Sequence, residues 1–352
     1  MKKRNLIIVA AGMLCLIAGC SGSASDAGKQ GKYERVTLIE VKKIWDEGEH
    51  SAFTDLIRFN DEWFCTFREG RGHVDPDGVL RVIKSRDGVR WESTAMITSE
   101  TGDLRDPKLS VTPDGRLMLV SAERENIPGD DGRVRYTQLQ SFAWFSPDGV
   151  NWSERHAIGD PDFWLWRVTW HEGIAYCIAK GEHTQINRLR MYRSENGEKF
   201  ETYVETLLES GHPVLEGRPK PSETTIVFMK DGTAHSLTHT GGRDGRGTVI
   251  GTSKSPYREW DWKSPGIGIG GPNMIPLPDG RLVAVVRFYV PTRTSLAWVD
   301  PNEGTLREFL VLPSGGDQSY AGLVWHEDML WISYYSGHEE KTSIYLAKVK
   351  FE

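Results

Sequence analysis

Apolar residues alternate with polar ones in short runs along most of this chain, and two-residue acidic or glycine turns break the runs at regular intervals. Six such turns join pairs of apolar strands: Asn60-Asp61, Asp114-Gly115, Glu172-Gly173, Asp231-Gly232, Asp279-Gly280 and Glu327-Asp328. Their second residues lie 54, 58, 59, 48 and 48 positions apart. Asp-Gly marks a two-residue hairpin, because that turn needs φ > 0 and glycine adopts it at no steric cost. Each turn therefore predicts a β-hairpin, such as 107–112 with 116–122.

A second pattern follows the first three turns. It reads Ser85-Arg86-Asp87-Gly88-Val89-Arg90-Trp91, then Ser146-Pro147-Asp148-Gly149-Val150-Asn151-Trp152, then the weaker Ser194-Glu195-Asn196-Gly197-Glu198-Lys199-Phe200. A degenerate fourth copy spans Ser253 to Trp260. Ser and Asp bond the turn backbone, Gly takes the left-handed conformation, and the aromatic packs between sheets. These segments resemble the Asp box, one residue shorter than its commonest form, and with it the sialidase superfamily of β-propellers.

Repeats of roughly 50 residues with four strands each are propeller blades. The expected fold is all-β: a six-bladed β-propeller of four-stranded antiparallel blades. After the sixth hairpin only 342–351 remains, one strand where two are needed. Residues 35–44 can supply the other, closing the ring and removing free sheet edges.

The first residues belong to targeting instead. Lys2, Lys3 and Arg4 precede an apolar run from Leu6 to Gly19 that suits a signal peptide but is too short to span a bilayer. The run ends Leu16-Ile17-Ala18-Gly19-Cys20, which resembles the bacterial lipoprotein lipobox. The resemblance implies cleavage before Cys20, a lipid on its thiol, and a protein held at the outer membrane or cell surface, outside the cytoplasm. Residues 20–32 then form a flexible tether and 33–352 the propeller. Cys65 and Cys177 lie in apolar strand-like runs and are expected as buried free thiols.

Composition fits a folded, glycine-punctuated β-protein: 13 Trp and 37 Gly in 352 residues. Loss of the leader takes the net charge from −6 to −9. That excess of acid argues against nucleic acid, whose phosphates need a basic stripe. No paired-cysteine spacing points to zinc; no metal or cofactor and a monomeric state are expected.

Candidate chemistry gathers on one face. First strands begin with Thr54-Asp55, Arg105-Asp106, Arg167, Glu223, Asn273 and Tyr320. Second strands end in Arg68 to His73, Glu123 to Glu125, Lys180 to His183, His239-Thr240, Arg287 to Tyr289 and Tyr334 to Ser336. If first strands line the axis, both sets emerge on one rim, opposite the hairpin turns. Substrate contacts are expected from Asp55, Arg68, Arg71, Arg105, Asp106, Arg167, His239, Arg243, Asn273, Arg287 and Tyr334.

The sialidase resemblance assigns roles to some of these. Phe67-Arg68-Glu69-Gly70-Arg71 and Leu80 to Ser85 look like the segment leading into the first Asp box, whose loop carries the acid/base aspartate; Asp75 or Asp77 inherits that role. Ser222-Glu223-Thr224 matches the segment of the catalytic glutamate, and Ser319-Tyr320-Ala321-Gly322-Leu323 is similar to that of the nucleophilic tyrosine. A phenol becomes a useful nucleophile when a carboxylate accepts its proton. The family's three-arginine carboxylate clamp is altered: its first place reads Phe53-Thr54-Asp55-Leu56, its second falls on His239 with Arg243 displaced, and Arg287 serves as the third. Arg68, Arg105 and Arg167 could form another anion site.

The resemblance implies an exo-acting glycoside hydrolase whose sugar need not be sialic acid. Two alternatives stay open. One is a polysaccharide lyase drawing on His73, His183, His239, Tyr289 or Tyr334. The other is a glycan-binding propeller that stacks sugars on Trp164 and Trp166.

Overall fold

The computed structural model describes residues 33–128, 134–182, 186–217, 220–241 and 247–352. Strand β1 (Val36–Trp45) precedes five blades that each use consecutive strands. The first holds β2 (His50–Phe59), β3 (Glu62–Gly70), β4 (Val79–Ser85) and β5 (Glu92–Ile97). The second holds β6 (Gly102–Val111), β7 (Leu117–Pro128), β8 (Val134–Ser146) and β9 (His156–Ile158). The third is β10 (Phe163–His171), β11 (Ile174–Gly181), β12 (Arg188–Ser194) and β13 (Glu201–Glu209). The fourth is β14 (Pro221–Phe228), β15 (Ala234–Thr240), β16 (Gly247–Ser253) and β17 (Asp261–Lys263). The fifth is β18 (Ile269–Pro276), β19 (Leu282–Tyr289), β20 (Thr292–Asp300) and β21 (Thr305–Val311).

The sixth blade joins the two ends of the described chain. It comprises β22 (Gln318–His326), β23 (Met329–Ser336), β24 (Ser343–Phe351) and, outermost, β1. Val36 faces Phe351 and Lys42 faces Leu346 in antiparallel register. The N-terminal strand thus covers the edge that β24 would expose. The first strands β2, β6, β10, β14, β18 and β22 contact one another in succession around the axis. The architecture is the six-bladed propeller of four-stranded blades that the repeats imply.

Hairpin chemistry explains the regularity. Asn60 and Asp61 have φ of 48° and 61°, Glu172 and Gly173 50° and 80°, and Glu327 and Asp328 50° and 56°. These paired left-handed residues match the twist of the flanking strands. The Asp-Gly turns differ from the two-residue expectation: only Gly115, Gly232 and Gly280 are left-handed (81°, 80° and 87°), in three-residue loops closed by bonds such as Thr112 N–H to Arg116 O at 2.9 Å. The Ser-x-Asp/Asn-Gly segments cap the turns from third to fourth strand. The Gly88 N–H donates to Ser85 Oγ (2.9 Å), and those of Val89 and Arg90 donate to Asp87 Oδ1 (2.8 and 2.9 Å). Asp148 and Asn196 repeat the arrangement in the second and third blades. The segment after β16 differs: Ser253 Oγ donates to Glu259 O, and Tyr257 takes the positive φ of 64°.

Apolar clusters between adjacent blades form the core. Trp63 of the first blade stacks on Trp331 of the sixth at 4.2 Å, and Phe64, Leu80 and Val82 pack with Leu104, Leu117 and Trp144 of the second. Each fully buried aromatic or aliphatic side chain contributes about 1.5–3 kcal/mol. Cys65 and Cys177 are free and buried. No helix among the described residues is long and apolar enough to cross a membrane.

Candidate active site

One irregularity recurs in all six first strands at the same place. Two residues there oppose one on the second strand: Phe53 and Thr54, Asp106 and Pro107, Trp166 and Arg167, Ser222 and Glu223, Gly271 and Pro272, Tyr320 and Ala321. Such a β-bulge bends the strand and re-aims its side chains. Phe53, Asp106 and Tyr320 pay for it in backbone strain, with φ of 61°, 51° and 50°. Gly271 takes 56° without strain, and any Cβ there would lie 2.6 Å from the Tyr320 ring.

The bulges open onto a cavity of about 210 Å³. Phe53, Asp106, Glu223 and Tyr320 line it, together with Arg105, Arg124, Trp164, Lys180 and the loop residues His73 and Val74. The Tyr320 hydroxyl donates to Glu223 Oε1 at 2.7 Å, and the Gly271 N–H donates to Oε2 at 3.0 Å. Two residues 97 positions apart in sequence therefore meet directly. Phe53, Trp166 and Tyr335 surround the Tyr320 ring at 5.2, 5.6 and 6.0 Å, and the Arg287 guanidinium lies 5.4 Å from it.

Electrostatics fix the state of the pair. Burial alone would raise the Glu223 carboxyl, but the Lys180 and His239 charges, the Tyr320 hydroxyl and the Gly271 N–H together hold it below its ordinary value. Glu223 is thus a carboxylate. Burial and that carboxylate push the Tyr320 phenol well above its ordinary value, and the Arg287 charge opposes them. Tyr320 therefore rests neutral, with its proton already aimed at the acceptor. Burial also lowers the Lys180 ammonium to about 8.

The expected acid/base aspartates lie elsewhere. Asp75 is buried against Arg71, accepting from Nη2 (2.7 Å) and Nε (3.0 Å), and these bonds hold its carboxyl well below the carboxylate range. Asp77 is exposed and also pairs with Arg71 (3.2 Å). Neither lines the cavity. Asp106 does, and its buried Oδ1 has no hydrogen-bond partner.

The structure divides the expected substrate contacts. Arg105 and Asp106 reach the cavity, and His239 is close enough to act on Glu223. The others are occupied by structure. Arg68 is fully buried on Asp103 (2.7 Å), and Arg71 chelates Asp75. Arg167 pairs with Asp55 (2.9 Å), whose Oδ2 also accepts from the Leu109 N–H. Asn273 donates to Ala321 O, and Arg287 is held by Asp317, Gln318 O and the Tyr335 hydroxyl. Tyr334 turns into the core, stacked on Tyr345 with its hydroxyl on Pro313 O. Arg243, His183 and Cys20 lie outside the described residues. No three-arginine clamp forms among the described residues; Arg105, Arg124 and Lys180 provide the cavity's positive charge.

Trp164 and Trp166 are buried instead of presenting open faces. Lys180 Nζ sits 4.3 Å from the Trp164 ring, and Lys108 Nζ 5.3 Å from Trp166. Arg124, bound to Glu182, also packs on Trp164. Cations take the positions that a stacked sugar would need. Arg124 and Lys180 lie in polar second-strand ends, yet no motif singles them out.

A further network borders the cavity. Asp317 Oδ2 is 2.6 Å from His73 Nδ1 and 3.1 Å from His50 Nε2, while Oδ1 accepts from Arg287 and Tyr335. His50, His73 and Asp317 have metal-type atoms within 4.8 Å of one another, and hydrogen bonds to the carboxylate account for their approach. Asp317 was not legible as a site residue, because it precedes the sixth first strand outside any motif.

No family model and no curated protein matches the sequence. Solved structures do. A protein of unknown function from Dyadobacter fermentans superposes with a TM-score of 0.76 at 17% identity, covering 90% of this chain and 99% of that one. The α-L-arabinofuranosidase of Fusarium graminearum in complex with arabinobiose gives 0.68 at 13% identity, covering 91% of this chain and 98% of that one. The sialidase of Trypanosoma rangeli in complex with the inhibitor DANA gives 0.62 at 9% identity, covering 86% of this chain but 55% of that one. At such identities the likeness establishes the fold: a six-bladed propeller of the kind seen in sialidases and this arabinofuranosidase.

Proposed function

We propose that the chain is an exo-acting glycoside hydrolase with a tyrosine–glutamate pair at its centre. The observation that carries this reading is the 2.7 Å hydrogen bond from the Tyr320 hydroxyl to the Glu223 carboxylate inside the cavity. As Tyr320 Oη attacks the anomeric carbon, its proton passes to Glu223, which lowers the cost of generating a phenolate in a buried site. The Arg287 charge beside the ring favours the same step.

Size supports exo action. A cavity of about 210 Å³ falls below the ~300–1,000 Å³ of drug-sized ligand sites and suits one terminal sugar ring. Two structural neighbours are named for glycosidases, one bound to arabinobiose, which supports a glycan as substrate. The altered arginine set turns the choice away from sialic acid, so a neutral furanose stands beside it as a candidate. The anchor belongs to this proposal on sequence grounds: lipid on Cys20 would hold the enzyme outside the cytoplasm, where polymeric glycans are met.

The test is a screen of the purified protein against umbelliferyl glycosides of L-arabinofuranose and N-acetylneuraminic acid and against defined oligosaccharides, read by fluorescence and mass spectrometry. Release of single terminal sugars is expected. Products with a new ultraviolet-absorbing double bond would favour a lyase, and tight glycan binding with no product would favour a binding propeller.

A further inference from the structure

We propose that His73, positioned by Asp317, is the proton donor and acceptor at the leaving glycosidic oxygen. This rests on the hydrolase reading above and departs from the aspartate expected in the same loop. His73 lines the cavity that holds Tyr320 and Glu223, with its side chain half exposed. Its Nδ1 lies 2.6 Å from Asp317 Oδ2. Burial alone would raise the Asp317 carboxyl, but His50, His73 and the Arg287 charge hold it well below the carboxylate range.

An ionised carboxylate only accepts, so His73 Nδ1 carries the proton and Nε2 is the nitrogen left for substrate. The ring is braced edge-on by Phe53 at 5.0 Å, and the His73 carbonyl accepts from Arg105 at 3.2 Å. Asp317 is itself fixed by Arg287 (3.1 Å), the Tyr335 hydroxyl (2.9 Å) and His50 (3.1 Å). The titratable and charged groups nearest His73 include Asp317, His50, Arg105 and, through Asp317, Arg287, with Asp106, Arg124, Lys180 and Glu223 lining the same cavity. A base oriented by a fixed, partly buried carboxylate such as Asp317 is the arrangement in which imidazole exchanges protons with a reacting oxygen.

The steps balance. Tyr320 Oη bonds to the anomeric carbon and its proton goes to Glu223. The glycosidic C–O bond breaks with its electron pair on oxygen, and the imidazolium Nε2–H protonates that oxygen, releasing an alcohol. Neutral His73 then takes a proton from water as the water oxygen attacks the same carbon. The Tyr320 oxygen departs with the C–O electron pair and recovers its proton from Glu223. The enzyme returns to its starting state.

Two measurements on the whole protein test the assignment. Turnover is compared between a 2,4-dinitrophenyl glycoside and a methyl glycoside of whichever sugar the wild type releases. His73→Gln should lower methyl glycoside turnover about 100- to 10,000-fold, the range of general acid assistance, and dinitrophenyl glycoside turnover at least tenfold less. Azide should rescue the variant on the activated substrate. Nitrogen-15 NMR of histidine-labelled protein should show the neutral His73 ring protonated at Nδ1, and Asp317→Asn should shift it toward Nε2.

Wild-type turnover with equal losses on both glycosides overturns the role of His73 alone. So does the same leaving-group bias in Asp106→Asn with none in His73→Gln, or a His73 ring protonated at Nε2. Absence of turnover by the wild type on every glycoside overturns the hydrolase reading and this role together.

Discussion

Tyr320 stands in a left-handed backbone at φ 50°, next to Ser319 at 92°, a conformation that costs of order 1–3 kcal/mol per residue unless packing enforces it. The aromatic cage of Phe53, Trp166 and Tyr335 supplies that enforcement, and its product is a hydroxyl aimed at Glu223. Glu223→Gln and Tyr320→Phe should each lower turnover about 100- to 10,000-fold, with melting temperatures little changed. The double variant should be hardly worse than the worse single one, because residues acting as a unit are not additive. Near-normal turnover by Tyr320→Phe would remove the tyrosine mechanism. Lys180 permits a pH test. Glu223 must be ionised to accept a proton, so activity falls as pH drops through its depressed pKa. Removing the Lys180 charge raises that pKa, and Lys180→Met should move the acid limb of kcat/KM to higher pH. An unmoved limb would mean that Lys180 does not tune Glu223. Glu223 and Tyr320 were legible in the sequence because each opens a repeat within a short family-like segment. Lys180 and Asp317 were not, since their importance comes from neighbours on other blades.

At the level of strands and turns, local chemistry and long-range pairing separate cleanly. The hairpin turns were legible because each needs one or two left-handed residues, a conformation that Gly, Asn and Asp take most readily and that Glu172 and Glu327 also adopt here. The six bulges were hidden, because a bulge exists only relative to a partner strand, and nothing in Phe53-Thr54 or Tyr320-Ala321 announces it. Closure was legible by counting: the sixth repeat lacked a strand, and β1 fills it. Deleting 33–45 should therefore lower the melting temperature far more than deleting 21–32, since it bares the whole edge of β24. Equal melting of the two truncations would deny β1 that role. Glycine replacements probe the turns within a blade. Gly149 has φ of 74°, and a Cβ there would lie 2.2 Å from the Phe64 ring of the first blade. Gly115 has φ of 81° with nothing within 4 Å of such a Cβ. Gly115→Ala should cost about 1–2 kcal/mol, the left-handed penalty alone. Gly149→Ala should cost about 1–3 kcal/mol more, because a packed core yields poorly to added volume. Equal losses in thermal denaturation would show that the clash with Phe64 relaxes freely.

For the whole molecule, ring closure separates folding from anchoring. Among the described residues, all 24 strands lie within 36–351. Residues 1–32 lie outside the described structure, and what they do rests on the Leu16–Cys20 box and the apolar run before it. We propose that cleavage and lipidation at Cys20 would leave the Ser-, Gly-, Ala- and Lys-rich residues 21–32 between the lipid and the propeller. If Cys20 carries lipid, membrane retention depends on its acyl chains, each buried CH₂ of which contributes about 0.8 kcal/mol. Cys20→Ser should move the protein from the membrane fraction to the soluble one. Its melting temperature and its turnover of a small soluble glycoside should match the wild type, since neither the core nor the cavity is touched. Turnover of an insoluble or cell-bound glycan should fall, because the enzyme is no longer concentrated at the surface. Unchanged membrane fractionation of Cys20→Ser would overturn the anchor, and a lowered melting temperature would show that the propeller leans on its leader after all.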